Sequence, residues 1–207
     1  MHPDFIHMKK ELVTINLKKV NITAMVLFII PFVLIMSLKL TIFKDITYGV
    51  GFWDYLIIAI SYPVLLLCHE CIHALAFLMS GAQKGSVRFG VIPKKMMLYC
   101  TTNKPLSVNQ YKLSLLLPII ITGVIPSIIA MILLNWKYSL LFTSMISCGA
   151  GDLLMFLQLC KRKKVKMIED HPNAPAFYAL YDETDLPLDF KEVTIEDEEK
   201  LLKSINN

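Results

Sequence analysis

The sequence predicts an all-α membrane protein of about four transmembrane helices, with a short β-hairpin-like segment between the second and third. Three observations carry this expectation. Apolar residues make up 55% of the 207-residue chain, and the mean hydropathy is +0.55, too apolar for an ordinary soluble domain in a chain too short for a large transporter. These residues cluster in four stretches, each long enough to cross a hydrocarbon core of about 30 Å at about 1.5 Å per helical residue. Lys and Arg concentrate in alternate connections, as in a multi-pass protein.

Residues 1–21 are polar, lack a cleavable secretory signal and read as a cytoplasmic N-terminal segment. Span one covers residues 22–43 and contains Pro31 and one charge, Lys39, close enough to the end to snorkel toward the headgroups. Span two covers residues 52–79; from Tyr55 to Cys68 it is free of charge until His69 and Glu70 interrupt it. Between residues 84 and 102, Val87, Phe89 and Val91, then Met97 and Tyr99, alternate on either side of Pro93-Lys94-Lys95. That pattern predicts a pair of short strands. Span three, residues 113–134, carries Pro118, Gly123 and Pro126 and should be kinked or broken. Span four, residues 139–160, holds a single charge, Asp152. After it the composition changes to a tail, residues 161–207, where Pro172, Pro175 and Pro187 delay any helix until a short acidic amphipathic one over 194–205. Residues 22–160 are thus expected to form one transmembrane domain between two cytoplasmic segments.

Lys9, Lys10, Lys18 and Lys19 precede span one; Lys84, Arg88, Lys94, Lys95 and Lys104 separate spans two and three; Lys161, Arg162, Lys163, Lys164 and Lys166 follow span four. The other two connections carry only Lys44 and Lys137. Both termini are therefore expected in the cytoplasm, in the plasma membrane of the cell. The net charge of +4 is a topology signal, and no nucleic-acid partner is expected. The five cysteines fall in spans or on the cytoplasmic side, where free thiols are the rule. Trp53, Tyr55, Trp136 and Tyr138 read as interfacial anchors, and His2, His7 and His171 as surface residues.

His69-Glu70-Cys71-Ile72-His73 is an HExxH motif. At about 100° per residue the two histidines stand about 40° apart and one turn apart along a helix, so both imidazoles reach one metal. Glu70 projects beside them, where a carboxylate can move a proton. Such a cluster in an apolar span costs several kcal/mol unless paired or metal-bound. Two neutral imidazoles and a carboxylate suit zinc. Cys68 and Cys71 frame the motif as CxxC, but on the same wheel they face away from the imidazoles and read as small packed core residues.

A catalytic zinc takes a third protein ligand. Asp152 is the candidate: it needs a partner in the bilayer, and counted residues place it in the same cytoplasmic half as His69 and His73. Small residues around it, Ser147 to Gly151, permit close helix approach. Glu169, Asp170 and His171 compete for the role from what reads as a surface segment.

The HExxH in a hydrophobic helix, Gly151-Asp152 in a later one, the intervening hairpin-like segment, and Asp170-His171-Pro172 with residues 175–178 resemble the "Putative zincin peptidase" family. More distantly they resemble the site-2 protease class of intramembrane metalloproteases. The resemblance covers about residues 50–180 and implies that His69, His73 and Asp152 bind zinc, with Glu70 as the catalytic carboxylate. The distant class usually carries its aspartate in Leu-Asp-Gly, whereas here Gly151 precedes Asp152 and Leu153 follows. The function expected is hydrolysis of peptide bonds in or near the membrane, in a membrane-protein or peptide substrate, with the 87–99 segment offering a strand edge to it. The alternatives are a non-catalytic metal-binding membrane scaffold and a divalent-metal transporter.

Overall fold

The computed structural model describes residues 8–43, 51–92, 97–133 and 136–206. His2, His7, Lys44, Pro93, Lys94, Lys95 and the side chain of Trp136 lie outside the described residues.

Helix α1, Leu17–Leu38, starts earlier than its apolar run because Asn16 caps it, its side-chain oxygen accepting from the Lys18 and Lys19 amides. It continues into a π-helical turn, Lys39–Phe43. Lys39, expected to snorkel, is instead buried, and its Nζ has no hydrogen-bond partner. It sits in the π turn, whose extra residue shifts the facing of the helix. Helix α2, Phe52–Met79, has the bounds expected of span two. Asp54 accepts the Gly51 amide at its start and pairs with Lys137 at 2.6 Å. Gly81, at φ 85°, turns the chain out of the other end.

The hairpin follows as expected: β2, Val87–Ile92, pairs antiparallel with β3, Met97–Thr102. Gly90 opposes Tyr99, whose ring lies where a Cβ at residue 90 would stand 2.2 Å away, so any side chain there would have to displace that ring.

Span three begins at α3, Val108–Pro118, earlier than expected, because Ser107 and Gln110 form a capping box. It passes through a π segment, Ile119–Val124, into α4, Ile125–Ile132. The break has a physical cause. Pro126 has no amide to offer the carbonyl four residues back, and the Ile125 amide reaches Ile120 instead. Span four is two helices, α5 (Trp136–Cys148) and α6 (Ala150–Lys161), bent by 42°. Three helices are long and apolar enough to cross a membrane, and four if the bent pair counts as one.

The all-α expectation is corrected by a sheet. Four antiparallel strands stand in the order β1-β6-β5-β4, formed by Met8–Thr14, Ala176–Asp182, Met167–Asp170 and Leu106–Ser107. Residues on both sides of the helical region thus pair with each other, Thr14 opposite Ala176 and Met8 opposite Asp182. The sheet is not an appendage. Its Ile168 and Phe177 share a core with Phe77 of α2, Tyr111 of α3 and Leu159 of α6. Each large apolar side chain so buried contributes about 1.5–3 kcal/mol. The last helix, α7 (Ile195–Asn206), appears where the acidic amphipathic run predicts it, and Glu198 ties it to Tyr178 of β6.

Backbones come closest at two glycines. A Cβ on Gly123 would stand 2.7 Å from Cγ1 and 2.9 Å from the backbone nitrogen of Ile146; one on Gly149 would stand 2.3 Å from Cγ1 of Ile119. Gly123→Ala therefore has a backbone atom in its way and is expected to destabilise the fold by about 1–3 kcal/mol. Gly151→Ala meets open space and should leave thermal unfolding in detergent unchanged.

Candidate metal centre

Helix α2 carries His69, Glu70 and His73 on one side, and both imidazoles are buried, 3% and 6% exposed. One ligand atom from each of the three residues lies within 4.8 Å of the others. From the first turn of α6, Asp152 brings Oδ2 to 3.1 Å from His69 Nε2 and 3.4 Å from His73 Nε2. The bend before α6 delivers this carboxylate at a helix N-terminus, where the dipole favours a negative group. The sequence-predicted trio thus meets across two helices.

The donors fit zinc. A tetrahedral ion bound at about 2.0–2.1 Å spaces its ligand atoms about 3.3 Å apart, and the Asp152-to-imidazole separations of 3.1 and 3.4 Å bracket that spacing. The back of the site is set for it as well. Thr122 in the π segment donates its hydroxyl to the Pro118 carbonyl at 2.8 Å, so its oxygen is left to accept from His69 Nδ1 at 3.3 Å. The proton on Nδ1 leaves Nε2 as the free ligand atom facing Asp152.

The site opens into a cavity of about 490 Å³ whose walls include Tyr62 and Leu66 of α2, Tyr99 and Cys100 of β3, Met155 of α6, and Asp170. Asp170 and His171 do not lie on the surface as the prolines suggested. They are 8% and 3% exposed, because the sheet folds back over the helix ends. Asp170 Oδ1 accepts the Tyr111 hydroxyl at 2.5 Å and Oδ2 the Thr102 amide at 3.0 Å. His171 turns to α7, donating from Nε2 to Glu198 at 3.1 Å while Nδ1 accepts the Asn173 amide. Glu169 pairs with Lys10 at 2.6 Å. Cys68 and Cys71 face away from the imidazoles, but they are exposed and not packed in the core: among the described residues nothing covers them. Thr122, Thr102 and Tyr111 were not singled out by the sequence. A hydroxyl between Pro118 and Pro126, in an otherwise apolar run, was the signal for the first.

One edge of β3 faces the cluster. The Asn103 amide bonds the Ser86 carbonyl, so by the register Arg88–Thr101 and Gly90–Tyr99 are hydrogen-bonded pairs. Leu98, Cys100 and Thr102 therefore turn their amides away from β2. The Thr102 amide reaches Asp170, and the Cys100 amide donates to Glu70.

Burial pushes the Asp170 carboxyl up to about 6, against the Tyr111 hydroxyl and Thr102 amide that favour its charged form. The folded state therefore holds a proton that the unfolded state has released between the ordinary carboxylate range, about 4, and about 6. Stability of the metal-free protein should fall as pH rises through that window. Thermal unfolding in detergent should record the fall, and Asp170→Asn should flatten it.

No curated protein and no solved structure matches the chain. Residues 62–166 match a family described as "Putative zincin peptidase", a stretch that holds His69, Glu70, His73 and Asp152 together. With half of its length so matched, the chain belongs to that family.

Proposed function

We propose that the protein is a membrane-embedded zinc metallopeptidase that hydrolyses peptide bonds in or near the bilayer, with zinc held by His69, His73 and Asp152 and with Glu70 as the catalytic carboxylate. The observation that carries this reading is the convergence of Asp152 Oδ2 on both Nε2 atoms, at 3.1 and 3.4 Å. Family membership and three helices of spanning length support it. The termini lie in the cytoplasm in this reading, following the Lys and Arg distribution of the short connections.

Zinc bound there would supply Lewis acidity, polarising the scissile carbonyl and acidifying water. The chain's own residues do the rest. Glu70 takes a proton from the attacking water as its oxygen bonds to the carbonyl carbon, then delivers that proton to the nitrogen as the C–N bond breaks. Thr122 holds His69 in the tautomer that leaves Nε2 as a lone-pair donor. The apolar cavity wall, Tyr62, Leu66 and Met155, limits water to the reacting end.

A helical peptide hides its carbonyls, so a membrane substrate must reach the site extended. The outward edge of β3 suits such a strand, because Leu98 keeps an amide and a carbonyl pointing away from β2 beside Glu70.

Metal analysis and peptide hydrolysis test the assignment together. His73→Ala and Asp152→Ala should each lose the equivalent of zinc held by the wild type. Glu70→Gln should keep the metal and lose hydrolysis by about 10²–10⁴-fold; full function of that variant in cells would favour a metal-binding scaffold instead. Leu98→Pro removes only an outward amide and spares the β2–β3 ladder. It should lower kcat/KM by about tenfold at unchanged zinc content, and an unaltered value would remove the strand-edge idea.

A further inference from the structure

Asp170 has no part in the mechanism above, yet it lines the cavity with Glu70 and Asp152 and is the buried one of the three carboxylates. Its surroundings say what it is for. It ends strand β5, and its oxygens accept one donor each from two other elements, the Tyr111 hydroxyl of α3 at 2.5 Å and the Thr102 amide of β3 at 3.0 Å. Both bonds join a neutral donor to a carboxylate, the stronger class of hydrogen bond. Tyr111 itself is fully packed between α3 and the sheet, its ring 5.7 Å from that of Phe177.

The Thr102 amide belongs to the row of β3 amides that faces the metal cluster, and the next amide in that row, Cys100, donates to Glu70. Two carboxylates therefore grip alternate amides of one edge, one from the catalytic helix and one from the sheet. The spacing along a strand is fixed at about 3.3 Å per residue, and a slip of one residue turns every amide to the opposite side. Where Thr102 is held thus decides which amide stands beside Glu70.

We infer that Asp170 is a positioning residue: with Tyr111 as its brace it clamps β3 at Thr102, setting the register of the substrate-binding edge against the His69–Glu70–His73–Asp152 cluster. This rests on the peptidase reading and on the strand edge as the place where substrate lies. It assigns to the sheet a task in substrate binding. The clamp acts on how an extended peptide meets Glu70, and its hydrogen bonds go to Tyr111 and Thr102, not to the metal ligands.

The test uses the purified full chain in detergent, with wild type, Asp170→Asn, Asp170→Leu and Tyr111→Phe compared. The probe is a fluorescence-quenched peptide of extended apolar sequence that the wild type cleaves. Zinc content should be the same in all four proteins. KM should rise about tenfold in Asp170→Leu, the loss of a charge-assisted bond, with kcat within about threefold. Tyr111→Phe should move KM in the same direction by less. Asp170→Asn, whose amide oxygen still accepts from Thr102, should recover part of the loss. Hydrogen exchange followed by mass spectrometry should quicken in the peptide covering β3 and stay unchanged in the one covering β6, a contrast that general loss of stability would not produce. An unchanged KM with faster exchange in β3 would overturn the inference, leaving Asp170 a structural residue. Loss of zinc, or a fall in kcat at constant KM, would overturn it by assigning Asp170 to the metal centre or to the chemical step. If the wild type cleaved no peptide in a broad set, the peptidase reading itself would fall, and this role with it.

Discussion

A carboxylate from one helix meets two imidazoles from another inside a largely apolar bundle, and most of the architecture can be read as what that meeting requires. None of the three groups is tolerable alone in such surroundings; here the carboxylate lies 3.1 and 3.4 Å from the two imidazoles. Helices α2 and α6 must therefore be held at a fixed separation and rotation. The devices that do this are local and identifiable. Gly123 brings the π segment against the backbone of α5 at Ile146, Gly149 makes room for the Ile119 side chain, and the bend at residue 149 aims the first turn of α6 at the histidines. The π segment itself presents Thr122 to His69.

Departures from ideal helix geometry thus gather around the centre. A straight span four would carry Asp152 on a continuous rod, without the positive helix end that favours its charge. An unbroken span three would leave Pro126 to clash with the carbonyl four residues back and would turn Thr122 elsewhere. The prolines and glycines of these segments weaken the helices as helices and shape them as walls of a site.

Much of this was legible in the sequence, and the reasons differ from part to part. HExxH is a local pattern whose spacing directly specifies a helix face, so His69, Glu70 and His73 could be paired without a fold. Asp152 was legible because a lone charge in an apolar stretch demands a partner, and few partners existed. The hairpin showed itself by alternation. The four-stranded sheet did not, because it pairs residues 8–14 with residues 176–182, and neither run makes a core until the other is beside it. Lys9, Lys10 and Glu11 make β1 look like a polar leader, while the prolines at 172 and 175 make the approach to β6 look like a tail. Asp170 and His171 were judged exposed for the same reason: their burial comes from a partner distant in sequence. Cys68 and Cys71 illustrate the converse error, since apolar character in such a chain marks a side chain for lipid as readily as for the interior.

The ladder between β1 and β6 has a consequence for biosynthesis. Strand β1 has no neighbour in its sheet until residues 176–182 have been made, after the helices that lie between the two strands. Until then β5 lacks one of its two neighbours, and the Asp170 carboxylate that accepts the Thr102 amide is not yet set in the four-stranded sheet. The sheet therefore closes only once both flanks of the helical region exist, so its formation marks a polypeptide made through residue 182.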